Sequence, residues 1–187
     1  MTTFLIKFVI TASTPTKWQL TNIKNGLMPS TNQNFRITIV NRNYPPRTGV
    51  TGESACRLAE YLETNHGAVV TVVSSRSNYE GGGSPLEPTG EVRLIKSWYD
   101  GKNKLLRLFS SFFESYYLVK AARSAKPDRV IVMTDPPFLQ FWAANLLAGK
   151  CPWTLWSMDI FPDAFVASDL VTSRNPFYRL LKHLTYR

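Results

Sequence analysis

Cysteine is nearly absent from this 187-residue chain: Cys56 and Cys151 are far apart and neither belongs to a CxxC pair. A disulfide framework or a thiolate metal site needs clustered cysteines, so both are excluded and a reducing compartment is the simpler setting. No stretch approaches the ~20 apolar residues that span a bilayer. The dinucleotide fingerprint GxGxxG, the phosphate loop GxxxxGK[ST] and the nucleophile elbow GxSxG are all missing. His66 and His183 form no triad and no metal constellation. Acids are also scarce, with 13 Asp+Glu against 22 Lys+Arg and a net charge of +9. After Asp169 there is no acid, while Arg174, Arg179, Lys182 and Arg187 follow. Such a bias favours an anionic partner: a phosphorylated ligand, an acidic membrane surface or nucleic acid.

What is present is a globular core, with 44% hydrophobic and 13% aromatic residues. Length and composition suit one domain and exclude a disordered chain. Residues 1–34 read as a separate extension. The apolar run Phe4–Ala12 is broken by Lys7 and followed by a polar tract, which is not the order of a signal peptide. From residue 35 the pattern is regular. Strands are expected at Phe35–Val40, Ala68–Val73, Glu91–Tyr99, Arg129–Met133 and Trp153–Met158. Helices are expected at Glu53–Asn65, Lys104–Ser124 and Phe138–Gly149, with two short ones near 163–170 and 176–185. Alternation of this kind predicts a doubly wound α/β domain, Rossmann-like, with a mostly parallel sheet.

Ligands in such sheets bind outside the carboxyl ends of the strands, at the topological switch point. That rule selects the loop Asn41–Gly52, the turn Thr134–Pro137 and the segment Asp159–Asp163. Free N–H groups near Gly52 and Glu53 suit a phosphate, and Gly49 and Gly52 equally suit a turn of positive φ. Asp135 either lines the crevice or organises the turn before Pro136. A carboxylate at Asp159, following an apolar strand, needs a polar partner or a ligand. Asp163 fits the first turn of a helix better than a catalytic role. The loop after the first strand is too long and proline-stiffened for a dinucleotide site, and no acid closes the second strand.

The helix over 104–124 is apolar around most of its circumference, with a narrow polar strip of Lys104, Arg107, Ser111 and Glu114. A fully packed helix has this pattern, and so does an apolar, cationic face that touches lipid headgroups. Its aromatics could stack bases, yet no nucleic-acid motif accompanies them, and nucleic acid is not the expected partner.

Three of these segments together resemble a known family. The run Tyr44-Pro-Pro-Arg-Thr-Gly-Val50, with Leu58–Leu62, Asn65-His-Gly67 and Val69–Val73, is similar to the start of family 4 retaining glycosyltransferases of the GT-B fold. So are Pro127–Phe138, with its Asp135-Pro-Pro turn, and Trp153–Asp163, with Asp159-Ile-Phe-Pro-Asp163. The similarity spans about residues 35–170 and lies nearest the enzymes of exopolysaccharide and cell-surface glycan synthesis. It implies the acceptor half of a two-domain hexosyltransferase that needs no metal or other cofactor. The donor would be a nucleotide-sugar and the acceptor a lipid-linked glycan. It also implies a cytoplasmic location, peripheral to the inner membrane surface. Carried over, Gly49, Gly52 and Arg47 fall in the loop near the donor phosphates, Asp135 lines the acceptor side, and Asp159 stands beside the reacting sugar. The family's donor-binding half has no counterpart before Arg187, so activity is expected to need that half from a separate polypeptide, unless the chain is a truncated product. The alternative is a non-catalytic Rossmann-like module that binds a phosphorylated ligand or a protein.

Overall fold

The computed structural model describes residues 35–46, 49–76, 86–97, 103–157, 163, 166 and 171–185. The expected extension 1–34 and most of the helix expected at 163–170 lie outside them. Five strands, β1 (Arg36–Val40), β2 (Val69–Ser75), β3 (Glu91–Ile95), β4 (Arg129–Met133) and β5 (Trp153–Trp156), form one sheet of order β3-β2-β1-β4-β5. Every pairing is parallel. Four helices have their bounds among the described residues: α1 (Val50–His66), α2 (Lys104–Ser124), α3 (Leu139–Leu146) and α4 (Pro176–Thr185). This is the Rossmann-like α/β architecture expected from the alternation of strands and helices.

The inner strands are buried on both faces, and their side chains alternate between two cores as the two-residue repeat requires. Ile37, Ile39, Val70, Val72 and Met133 pack with Ala55, Cys56 and Ala59 of α1. Val40, Val73, Val130 and Val132 pack on the opposite face with Leu118, Val119 and Ala122 of α2 and with Leu139, Ala143 and Leu147. Helix α4 touches α3, which in turn packs along α2. Asp163 ties α4 down, accepting hydrogen bonds from the Tyr178 hydroxyl and from Lys182 Nζ at 2.9 Å. Its side chain therefore makes a tertiary contact to α4.

Several boundaries differ from those read in the sequence. Helix α1 starts at Val50, one turn before Glu53, because Gly49 stands at its N-cap and Glu53 N–H already bonds Gly49 O at 2.9 Å. Val, Thr and Gly are weak helix formers, and packing overrides that preference. Strand β2 continues to Ser75, which pairs with Ile95. Strand β5 stops at Trp156, the last residue opposite β4. Among the described residues no helix is long and apolar enough to cross a membrane.

Candidate functional site

The chain reverses direction across the sheet between β1 and β4, since β1 leads to β2 on one side while β4 leads to β5 on the other. The helices that follow β1 and β4 pack on opposite faces of the sheet, so the loops between them meet at the switch point of this fold. Asn41, Arg42 and Asn43 leave β1 there, and Thr134 and Asp135 leave β4. Their backbones are locked first. Arg42 N–H donates to Asp135 O at 2.8 Å, while Arg42 O accepts from Ser75 N–H at 3.0 Å and from the Ser74 hydroxyl at 2.7 Å. The peptides Pro45–Pro46 and Asp135–Pro136 are both cis.

The side chains then form a connected polar cluster. Asn43 Nδ2 donates to Asp135 Oδ2 at 2.8 Å. Asn41, fully buried, donates from Nδ2 to Asn43 O at 2.7 Å and to Thr51 Oγ1, in the first turn of α1, at 3.3 Å. Arg42 extends the other way: its guanidinium lies 3.0 Å from Glu114 Oε2, 3.5 Å from Asp135 Oδ1 and 2.6 Å from the Ser111 hydroxyl. Burial pushes the Glu114 carboxyl above its usual range. The Arg42 charge and the Ser75 hydroxyl oppose that rise, and the nearby Asp135 adds to it. A perturbed carboxyl in a cleft is a mark of functional sites and of structural ion pairs alike.

Two glycines bring α1 to this cluster. Gly49 has φ +155, a conformation that side chains disfavour, and a Cβ there would stand 3.4 Å from the Asn43 side chain. A Cβ on Gly52 would meet Asn43 C and O at 3.0 Å and Tyr44 N at 3.2 Å, so the helix packs its backbone on the loop peptide. The N–H groups of Val50, Thr51 and Gly52 have no intrahelical acceptor.

The expected residues Gly49, Gly52 and Asp135 thus converge on one mouth, with Asn43 as the bridge. Arg47 and Asp159 lie outside the described residues. Four members were not anticipated as site residues: Asn41, Arg42, Asn43 and Glu114. The signal for the first three was an Asn-Arg-Asn run directly after an apolar strand. Glu114 and Ser111 belong to the polar strip of the long helix, and these two members of it face inward at the crevice.

Asn41 Oδ1, Asn43 Oδ1 and the Thr134 hydroxyl lie beneath the mouth, buried and with no hydrogen-bond partner among the described residues. The acceptor that a ligand's hydroxyl group can reach is the part-exposed Asp135 carboxylate. Among the described residues no group of three or more His, Cys, Asp or Glu side chains is placed to hold a metal ion. No protein-family model matches the chain, and no curated protein matches it.

Proposed function

We propose that this domain is the acceptor-side half of a retaining glycosyltransferase that moves a sugar from a nucleotide-sugar to a lipid-linked glycan. One observation carries the reading: at the switch point Asn43 links the part-exposed Asp135 carboxylate to the glycine-lined start of α1. A glycan acceptor presents hydroxyl donors, and that carboxylate is their complement. The order of the Tyr44–Val50, Asp135–Phe138 and Asp159–Asp163 segments supports the same class.

In this scheme Asp135 takes a hydrogen bond from the attacking hydroxyl and aligns it, with Asn43 and Arg42 fixing the carboxylate. The α1 N-terminus receives the donor phosphates, and the family resemblance assigns Arg47 to substrate binding and Asp159 to the reacting sugar. A donor-binding half, on this or another polypeptide, closes the cleft from the opposite side. Holding both substrates in register can supply roughly 7–11 kcal/mol of barrier reduction, so the domain by itself is expected to bind acceptor and transfer little. The proposed location is the cytoplasmic face of the inner membrane.

The test is transfer of radiolabelled sugar from nucleotide-sugars to membrane extract, with a donor-half chain supplied. Asp135→Asn is expected to lower turnover by about 10²-fold, the scale of a misaligned reactant, with an unchanged urea midpoint. Undiminished transfer would remove Asp135 from the mechanism. No transfer in any combination, with binding of a phosphorylated ligand or a protein, would favour the non-catalytic module.

A further inference from the structure

The first half of α2 has its polarity reversed. Ser110, Ser111, Glu114 and Ser115 are buried, whereas Leu106 and Phe109 are 51% and 66% exposed and Phe113 and Tyr117 are exposed as well. Positions 106, 109, 113 and 117 recur at helical spacing, so these four side chains share the outer face. Phe109 and Phe113 meet edge to face, with ring centroids 5.1 Å apart. A contiguous aromatic stripe left in water marks a surface that some partner covers.

The charge around the stripe selects the partner. Glu114 is the single acid in α2, and it is turned inward onto Arg42. The exposed charges of the helix are Arg107, Lys120 and Arg123, all cationic. Lys120 lies over the Tyr116 ring at 5.8 Å, with its ammonium kept at the helix surface. Helix α4, which packs on α3 beside α2, repeats the combination. Phe177 and Leu180 are exposed, Arg179 and His183 are exposed, and the helix contains no acid. A second copy of the chain, docking through this same face, would set Arg107, Lys120 and Arg123 against their own equivalents, which is repulsive.

We propose that the outer face of α2 seats on an anionic lipid bilayer, with Leu106, Phe109 and Phe113 entering the headgroup boundary and Arg107, Lys120 and Arg123 meeting the lipid charge. Aromatic and leucine side chains on one face with flanking Lys and Arg are the composition of interfacial helices. The inner side of the same turns holds Ser111 and Glu114 against Arg42. The switch-point mouth is therefore about one helix diameter, ~10 Å, from the proposed lipid plane. The link to a lipid-borne acceptor rests on the function proposed above, whereas the docking surface stands on exposure and charge alone.

The experiment is co-sedimentation of the full chain with vesicles of phosphatidylglycerol and phosphatidylcholine, against phosphatidylcholine alone. Binding only to the anionic vesicles, weakening with added salt, is the expected result. Phe109→Ser should lower partitioning about tenfold while leaving the urea midpoint in place, since its side chain is mostly exposed; Phe113→Ser should lower partitioning similarly, with some loss of stability because its ring also packs on Phe112. In Phe109→Trp, brominated lipids should quench the new tryptophan relative to a Tyr61→Trp control on α1. Absence of vesicle binding would overturn the proposal, as would binding unchanged in both serine variants. Self-association that the serine variants abolish would also overturn it, assigning the stripe to a second copy. None of these readouts needs a donor half or a sugar, so their failure is separable from failure of the transfer assay.

Discussion

Arg42 and Glu114 form an ion pair beneath the switch point, with Arg42 Nη2 3.0 Å from Glu114 Oε2 and the glutamate side chain only 3% exposed. The pair joins two elements distant in sequence, the loop that leaves β1 and the middle of α2. It also leaves Arg42 shared, because the same guanidinium reaches Asp135 at 3.5 Å. A buried pair of this kind is weak evidence of net stabilisation, since desolvation offsets much of the attraction. Its consequence is geometric. The carboxylate at the mouth is held by Arg42 from one side and by Asn43 from the other, and Arg42 is itself fixed by a helix on the far face of the sheet.

Removing one member of the pair should cost far more than removing both. Arg42→Met leaves the Glu114 carboxylate buried without its cation, and about 3–5 kcal/mol of stability should be lost. Adding Glu114→Leu should restore roughly half or more of that loss, because an apolar pair of similar volume carries no desolvation penalty. Urea unfolding of the two single variants and the double variant gives the coupling energy directly. Simple additivity would show that the two side chains do not act as a unit.

Two carboxyls should give the protein opposing pH dependences. Burial raises Glu114, despite the pull of Arg42 and Ser75. Between an unfolded value of about 4.3 and the folded one, the native state keeps a proton that the unfolded chain has released. Stability therefore falls as pH rises through that window. Asp128 is held below its ordinary range, first by the Arg36 backbone N–H at 2.8 Å and then by the Arg36 guanidinium. Its contribution is fully present above an unfolded value of about 3.9 and is lost as pH falls through the lower folded value. In urea melts across pH, wild type minus Glu114→Gln should decline as pH rises past about 4.3. Wild type minus Asp128→Asn should grow up to about 3.9 and then level off. A Glu114 difference that grows with pH would contradict the assigned direction.

The sheet was readable because its inner strands are short apolar runs separated by helix-length segments, and parallel pairing follows from that alternation. The loop ends were readable for the same reason, so Gly49, Gly52 and Asp135 could be placed at one mouth before any coordinates. Helix α2 was harder. It is apolar on nearly all sides, so periodicity cannot say which strip turns inward. The usable signal lay in its second half. Leu118, Val119 and Ala122 are the residues buried against the sheet, and stepping back by three or four leads to Ser115, Glu114 and Ser111. Extending the core face along the helix would have put a carboxylate beside the β1 loop. Nothing local could reveal its partner, because α1, β2 and β3 all intervene between Arg42 and Glu114.

The close approach at Gly52 ties the fold to the site, and it can be tested with a single methyl group. A Cβ there would stand 3.0 Å from both C and O of Asn43, which are backbone atoms that cannot rotate away. Gly52→Ala must then push α1 off the loop or push the loop toward β4. Overpacking of this sort costs about 1–3 kcal/mol, partly offset by the better helix propensity of alanine, about 1 kcal/mol. The net loss in urea unfolding should be modest. The larger effect should fall on the hydrogen bond from Asn43 to Asp135, because the displaced peptide belongs to Asn43. Glycan binding and transfer should therefore drop more steeply than stability. Ser54→Ala, two residues along the same helix and hydrogen-bonded to Val50 O within it, should change neither. Equal losses of stability and binding in Gly52→Ala would mean that the methyl acts through general unfolding, with no specific displacement of Asn43.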